Sequence, residues 1–321
     1  RRLRVIFGAG EETGMDDLET YFKTEPLPQM GFTPDAEYGI CNREKGILHF
    51  SIEGKNDSDI LYKLYAGKAV NAVPDKATAE IFCSPTEFEN LKEAVKTIDG
   101  EFEFEKTEQG AKITAHGRAA HACMPQAGLN AASQLLLLLE KVFGSERIGS
   151  FCRFLQKKIG LETDGKSFAV NFEDEPSGAL TLNLGILKIE DGCCYAGVDI
   201  RYPVTIDGEK IIGILKEGVE AERLEFCVDS HNPPLYLPED SRLISLLKDS
   251  YREITGTEAK MIAMGGGTYA RTILGRGVAF GPFFEEEPDR RLHNANEHID
   301  IAFFMKHAQV CLEAMYRMLI A

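Results

Sequence analysis

The chain of 321 residues is long enough for two domains, and a hydrophobic content of 44% lets each bury a core. Acidic residues outnumber Lys and Arg by 51 to 36, a net charge of -15. This excludes nucleic acid and anionic membrane surfaces as partners held by overall charge, and leaves cations and small molecules. The 8 cysteines form no CxxC pair, and Cys193-Cys194 are adjacent, which suits reduced thiols and a cytoplasmic setting. The longest Leu run, Leu135 to Leu139, falls far short of the roughly 20 apolar residues that cross a bilayer, and no signal sequence is visible.

The chain begins on Arg1 and runs straight into a short apolar strand, Arg4-Val5-Ile6-Phe7, as expected of a fragment. Gly8-Ala9-Gly10 then lead to a pair of carboxylates in Glu11-Glu12-Thr13-Gly14. Adjacent Glu side chains leaving a strand end point different ways, so one can hold a cation while the other faces the water that the cation polarises. Such pairs are also common on solvated loops. A turn-rich stretch, Gly31 to Asp35, follows, and the polar run Ile52 to Asp59 reads as a linker.

Between that run and Pro233-Pro234 the pattern is α+β. Ala77 to Cys83 alternates as a strand, and Ser84-Pro85-Thr86-Glu87 is a capping box with Pro at the first helical position. It opens a helix with Phe88, Leu91, Val95 and Ile98 on one face. Strands at Leu180 to Ile189 and Cys194 to Tyr202, a helix through Ile212, Leu215 and Val219, and a strand from Arg223 to Val228 echo the same order. The segments Gly67 to Pro74 and Gly185 to Gly192 would be equivalent strands of a duplicated unit.

After Pro238 a helix carries Leu243, Leu246, Leu247, Tyr251 and Ile254 and stops at Gly256. Strands at Met261 to Met264 and Val278 to Phe283 and a long helix from Asp300 restore an α/β pattern. The middle block therefore reads as inserted: 1–50 and 235–321 form one discontinuous domain, and 51–234 the insertion.

Further groups could carry chemistry. Asp35 follows Pro34, whose ring holds Thr33 extended, although turn Asp residues are ordinary. His293 lies in a polar stretch with Asn294, Asn296 and Glu297, a mixture of metal ligands and their hydrogen-bond partners that satisfied surface histidines share. His121 sits among the small residues of Gly117-Arg118-Ala119-Ala120-His121-Ala122, and could equally be structural in a hairpin. Arg201 follows Asp199-Ile200 on a strand, where a guanidinium suits a substrate carboxylate or simply a salt bridge. Gly265-Gly266-Gly267-Thr268-Tyr269-Ala270-Arg271 follows a strand and could open a helix, but it lacks the ending of a P-loop and the spacing of a dinucleotide fingerprint.

Taken in order, Glu11-Glu12, Asp35, Gly67 to Pro74, His121, Arg201, Gly265 to Arg271 and His293 resemble the di-metal aminoacylase/carboxypeptidase superfamily over nearly the whole chain. They are most similar to its PepV-type dipeptidases (Xaa-His dipeptidase-like), which carry a GGGTYAR loop. The resemblance implies an α/β fold: a partial zinc-peptidase-like mixed-sheet catalytic domain with an inserted α+β lid domain of two similar halves. It implies metal-dependent hydrolysis of dipeptides in the cytoplasm, with two divalent ions, Zn²⁺ first and Mn²⁺ or Co²⁺ as alternatives. Glu11 would be the general base, Glu12 and His293 would bind one metal and Asp35 the other. His121 would stabilise the oxyanion, Asn71 would orient the substrate, Arg201 would hold its C-terminal carboxylate, and Gly266 and Gly267 would line the cleft. The partner is a small peptide, not nucleic acid or a membrane, and the parent would be monomeric.

The sequence departs from that family in one respect. The family supplies a His-x-Asp and a bridging Asp upstream of the Glu pair, whereas no His precedes His49, and none of His49, His231 and His307 opens a His-x-Asp. With three of five ligands and no bridging carboxylate, the chain is expected to take up metal partially at most and to be catalytically incompetent. Missing strands would leave an exposed sheet edge or a self-association surface. An N-acyl-amino-acid deacylase or desuccinylase of the same superfamily is the alternative activity, and a non-catalytic binding or assembly module the alternative of a different class.

Overall fold

The computed structural model describes residues 2–11, 14–291 and 295–321. The chain divides into two units, Arg1–Lys45 with Pro234–Ala321, and Gly46–Pro233. The first unit begins irregularly. Arg4 to Phe7 is not the expected strand: it pairs with no strand among the described residues, and Val5 and Phe7 are exposed. A run of three apolar residues without a neighbour to complete its ladder has nothing to hold it extended in a sheet. Helix α1 (Asp16–Phe22), which the apolar pattern did not announce, carries Asp16, Asp17 and Glu19 in its first turn, where the helix dipole favours them. Strands β1 (Gly31–Thr33), β2 (Ala36–Glu37) and β3 (Ile40–Glu44) follow.

The second unit is built on one large sheet. Its elements are β4 (Gly46–Lys55), β5 (Leu61–Ala66), β6 (Lys76–Phe82), α2 (Pro85–Ala94), β7 (Glu101–Lys106), β8 (Gly110–His116), α3 (Ala131–Phe143) and α4 (Ser150–Lys158). They continue with β9 (Glu173–Asp174), β10 (Gly178–Ala179), β11 (Thr181–Glu190), β12 (Cys193–Tyr202), α5 (Gly208–Glu220) and β13 (Glu225–Asn232). The strand order is β13-β4-β12-β11-β5-β6-β8-β7. Residues 52–55, expected in a linker, are the end of β4, whose Leu48, Phe50 and Ile52 enter the core, and the chain passes between units at Lys45 and Gly46 instead. The capping box is present as read: the Ser84 side chain accepts from the Glu87 N–H, and Glu87 reaches back to the Ser84 N–H.

The sheet order explains the echo between the two halves. Strand, strand, helix and edge strand recur as β5-β6-α2-β7 and β11-β12-α5-β13, and the remaining place is taken by β8 in one half and β4 in the other. The halves meet at the antiparallel seam of β5 and β11, where Leu64 faces Ile189 and Ala66 faces Leu187. Gly67 to Pro74 is not a strand but a turn with a single bridge at Ala72. The seam passes so close that a Cβ on Gly67, which has φ +73°, would fall 1.8 Å from the Gly185 carbonyl oxygen. The core gathers Leu48, Phe50, Leu64, Ile81, Ile113, Val198 and Ile200 with Leu91, Leu135, Leu139 and Leu215 of the helices. Alternation along the strands therefore sends His49, Asp199 and Arg201 to the opposite sheet face.

The chain then completes the first unit with β14 (Leu235–Tyr236), α6 (Arg242–Thr255), β15 (Met261–Met264), β16 (Gly277–Phe280), β17 (Pro282–Phe283) and α7 (Ile301–Ile320). Helix α6 stops at Gly256 in the left-handed conformation, and α7 is capped by Asp300, whose carboxylate accepts the Ala302 and Phe303 N–H groups. Strands β15 and β1 run parallel to β3 and β16, and β3 pairs antiparallel with β14 and β16, giving a mixed sheet. Ile40, Val278 and Phe280 pack with Leu243, Ile244, Leu247, Val310 and Ala314 of the two helices. This is the α/β architecture, with a second α+β unit inserted between β3 and β14, that the sequence pattern implies. No helix among the described residues is long and apolar enough to cross a membrane.

Candidate active site

In the first unit two segments far apart in sequence are tied together beside Glu11. Asp17, in the first turn of α1, accepts the Ala9 N–H at 2.7 Å and the Gly10 N–H at 3.0 Å through Oδ2. The same oxygen accepts the Tyr269 hydroxyl at 2.8 Å, and Tyr269 Oη accepts the Gly10 N–H at 3.1 Å. The Tyr269 bond lowers the Asp17 pKa below the usual carboxylate range, and burial together with Asp17 raises that of Tyr269. Glu11, the half-buried residue after this clamp, is thereby attached to the glycine loop between β15 and β16.

That loop is pinned from beneath. Glu44, fully buried at the end of β3, accepts Arg271 Nε at 2.7 Å, the Thr268 hydroxyl at 2.7 Å and the Thr268 N–H at 3.2 Å. Burial raises the Glu44 pKa above the usual range against the pull of Arg271 and Thr268. Arg271 Nη2 also donates to the carbonyls of Lys45 and Gly266. Gly267 lies under this guanidinium, so a Cβ there would come within 2.7 Å of Arg271 Nε. The expected helix after the loop is only a short 3-10 turn, Tyr269–Ile273, capped by the Thr268 side chain.

Of the three expected metal ligands, Asp35 is an exposed residue in the turn after β1, its N–H bonded to the Thr33 carbonyl at 3.0 Å. Glu12 and His293 lie outside the described residues. No three His, Cys, Asp or Glu side chains among the described residues come together as a metal-holding group. The described donors thus do not by themselves fit two metals. One His-x-Asp spacing does occur, His298-Ile299-Asp300, which the sequence reading passed over. It lies downstream of the Glu pair, and its Asp300 is committed to capping α7.

In the second unit Asn71, expected to orient the substrate, and His121, expected to stabilise the oxyanion, come side by side. Their loops zip through a bridge between Ala72 and His121, with the Ala122 N–H on the Asn71 carbonyl at 3.0 Å and the Val73 N–H on the Ala120 carbonyl at 2.9 Å. Asn183 of β11 supports them from below, donating to the carbonyls of Val70 at 3.2 Å and Ala72 at 3.0 Å. Both Asn71 and His121 are exposed. His121 Nδ1 receives the Cys123 N–H at 3.1 Å and lies 3.0 Å from Cys123 Sγ.

Arg201 is buried and engaged. Its Nε and Nη2 donate to the two oxygens of Asp199 at 2.8 and 2.7 Å. Asp199 Oδ2 also lies 2.8 Å from His49 Nε2, and His49 Nδ1 lies 3.1 Å from Ser230 Oγ. Cross-strand register produces this row, because His49 of β4 faces Asp199 of β12 on one side and Ser230 of β13 on the other. Burial opposes ionisation of Asp199, yet the His49 and Arg201 bonds prevail and hold its pKa below the usual range. Asp199 was missed as a partner although its i, i+2 spacing from Arg201 on a strand puts both on one face. Asp17 had no such signal, since 252 residues separate it from Tyr269.

The chain is similar to known proteins along its whole length. It is 33% identical over 327 aligned positions to "Putative dipeptidase YtjP" of Bacillus subtilis, covering 99% of this chain and 70% of that protein. It is 28% identical to "Putative dipeptidase SSP1012" of Staphylococcus saprophyticus, again over 99% and 70%. A solved tripeptidase (SAV1512) from Staphylococcus aureus aligns with a TM-score of 0.48 and 16% identity over 95% of this chain and 61% of that one. The chain thus corresponds to part of the length of each. The family model for peptidase family M20/M25/M40 matches residues 1–317, and the chain belongs to that family.

Proposed function

We propose that this chain is part of a metal-dependent dipeptidase. The observation that carries the reading is the clamp of Asp17, Tyr269 and Gly10, which joins the Glu11 loop to the Gly266-Gly267 loop within one unit. Glu11 would take the proton of the attacking water and pass it to the leaving amine. Glu12, Asp35 and His293 would hold divalent metal, Zn²⁺ first and Mn²⁺ or Co²⁺ as alternatives, which supplies a polarised water when bound. His121 would donate to the developing oxyanion, with Asn71 beside it orienting the peptide. Arg201, fixed by Asp199, would hold the substrate carboxylate, and the Gly266 and Gly267 backbone would line the cleft.

The 321 residues contain no His before His49. The dinuclear centre therefore needs ligands that this sequence does not carry, and the chain alone is expected to bind metal partially at most and to be inactive. In the cytoplasmic setting proposed here the substrate is a small peptide, and the parent acts as a monomer. The test compares a free dipeptide with an N-acetyl amino acid, using a form extended upstream to the length of the relatives and loaded with Zn²⁺ or Mn²⁺. Preferential hydrolysis of the dipeptide supports the reading. Preference for the acyl substrate assigns a deacylase instead, and turnover of neither leaves a binding module.

A further inference from the structure

We propose that Cys123 is a positioning residue for His121, holding its imidazole as the tautomer protonated on Nε2. The argument starts from a donor with no choice of role. A backbone N–H can only donate, and that of Cys123 points at His121 Nδ1 from 3.1 Å. Nδ1 must therefore carry a lone pair, which in a neutral imidazole places the proton on Nε2. The Cys123 thiol, 3.0 Å from the same nitrogen, then donates into that lone pair as a second, weaker donor.

The turn that makes this contact is itself fixed. Ala122, between the two residues, is fully buried, and its N–H is bonded to the Asn71 carbonyl. The Met124 N–H closes the turn on the His121 carbonyl at 2.9 Å. The ring is thus held on one side by its own loop, and that loop is held by the turn carrying Asn71. A histidine so arranged presents an N–H at Nε2 and acts there as a hydrogen-bond donor, not as a base. That is the form an oxyanion requires, so the inference deepens the proposed role of His121 and rests on it.

His298 provides a contrast within the same chain. Its Nδ1 lies 3.1 Å from the Asn296 carbonyl, which can only accept, so His298 carries its proton on Nδ1. The two rings are expected to be opposite tautomers.

The test is a two-bond proton–nitrogen correlation spectrum of the 321-residue chain with ¹⁵N-labelled histidine and cysteine. It is recorded at pH about 8.5, roughly two units above the ordinary histidine pKa. His121→Gln identifies the signals by their loss. The expected result is an unprotonated Nδ1 and a protonated Nε2 for His121, the reverse for His298, and a through-hydrogen-bond coupling from the Cys123 amide nitrogen to His121 Nδ1. Cys123→Ala keeps the backbone donor and should keep the tautomer, whereas Cys123→Pro removes the donor and should give a mixture. A protonated Nδ1 on neutral His121 overturns the proposal. So does an unchanged tautomer in a folded Cys123→Pro chain, and if that variant does not fold, the amide coupling decides. Failure of the functional reading would appear separately, as dipeptide hydrolysis unaffected by His121→Ala in the extended form.

Discussion

Tyr269 donates its hydroxyl to Asp17 at 2.8 Å, although the two residues stand 252 positions apart. The bond joins a loop near the end of the first unit to the backbone immediately before Glu11, because Gly10 shares both partners. Removing the hydroxyl should release Asp17 and leave Gly10 with one acceptor. Tyr269→Phe is expected to raise the Asp17 pKa back toward the ordinary value of about 3.9. A carbon-detected NMR titration of the Asp carboxyls measures this, and an unmoved Asp17 would show that the clamp does not set its ionisation.

Glu44 and Arg271 form a buried ion pair under the glycine loop. Arg271→Met leaves a desolvated carboxylate without its counter-charge, and the expected loss is about 3–5 kcal/mol of stability. Urea unfolding of the variant beside the parent measures it. The pair Glu44→Gln with Arg271→Met should recover much of that loss, since no uncompensated charge then stays buried.

Asp199 makes acid stability specific. Its native pKa is lowered, so its contribution is present above the unfolded value of about 3.9 and is lost as pH falls through the native value. Asp199→Asn should flatten that part of the stability profile below pH about 4 in denaturation curves recorded across pH. In the extended, metal-loaded form the same variant should raise KM for a dipeptide with a free carboxylate more than for its C-terminal amide. An equal change for both would detach Arg201 from the carboxylate.

The seam between the sheet halves tolerates no side chain at Gly67, whose positive φ and 1.8 Å clearance to the Gly185 carbonyl both forbid a Cβ. Gly67→Ala should cost at least about 1–3 kcal/mol from backbone strain alone, read from the shift of the denaturation midpoint. A variant of parent stability would mean that β5 and β11 can separate without loss.

Metal titration of the 321-residue chain should show weak, partial uptake of Zn²⁺ or Mn²⁺ and no metal-dependent turnover of a dipeptide. Restoring an upstream His-x-Asp and bridging carboxylate should bring tight binding of two ions. Turnover by the 321-residue chain at rates like those of the extended form would overturn the assignment of missing ligands.

Much of the fold was legible because local rules decided it. Ser84 to Glu87, Asp300 and Gly256 cap helices through their own backbone neighbours, and strands such as Met261–Met264 are bounded by turn residues, so short windows carry the information. The strand readings failed where a partner was required. Arg4 to Phe7 and Gly67 to Pro74 have strand-like residues, but a strand exists only when a neighbouring edge accepts its hydrogen bonds, and the sequence does not say whether one does.

The candidate site divides the same way. By itself the sequence determined which residue types stand in which order, from Glu11-Glu12 to His293, because that order is written in the chain itself. Only the tertiary structure decided who holds them. Sheet register put His49 between Asp199 and Ser230, packing brought Tyr269 to Asp17, and a loop pairing fixed His121 against the Cys123 amide. Those partners act over distances of a hydrogen bond between residues up to 252 positions apart, and at that separation only the folded chain determines which groups meet.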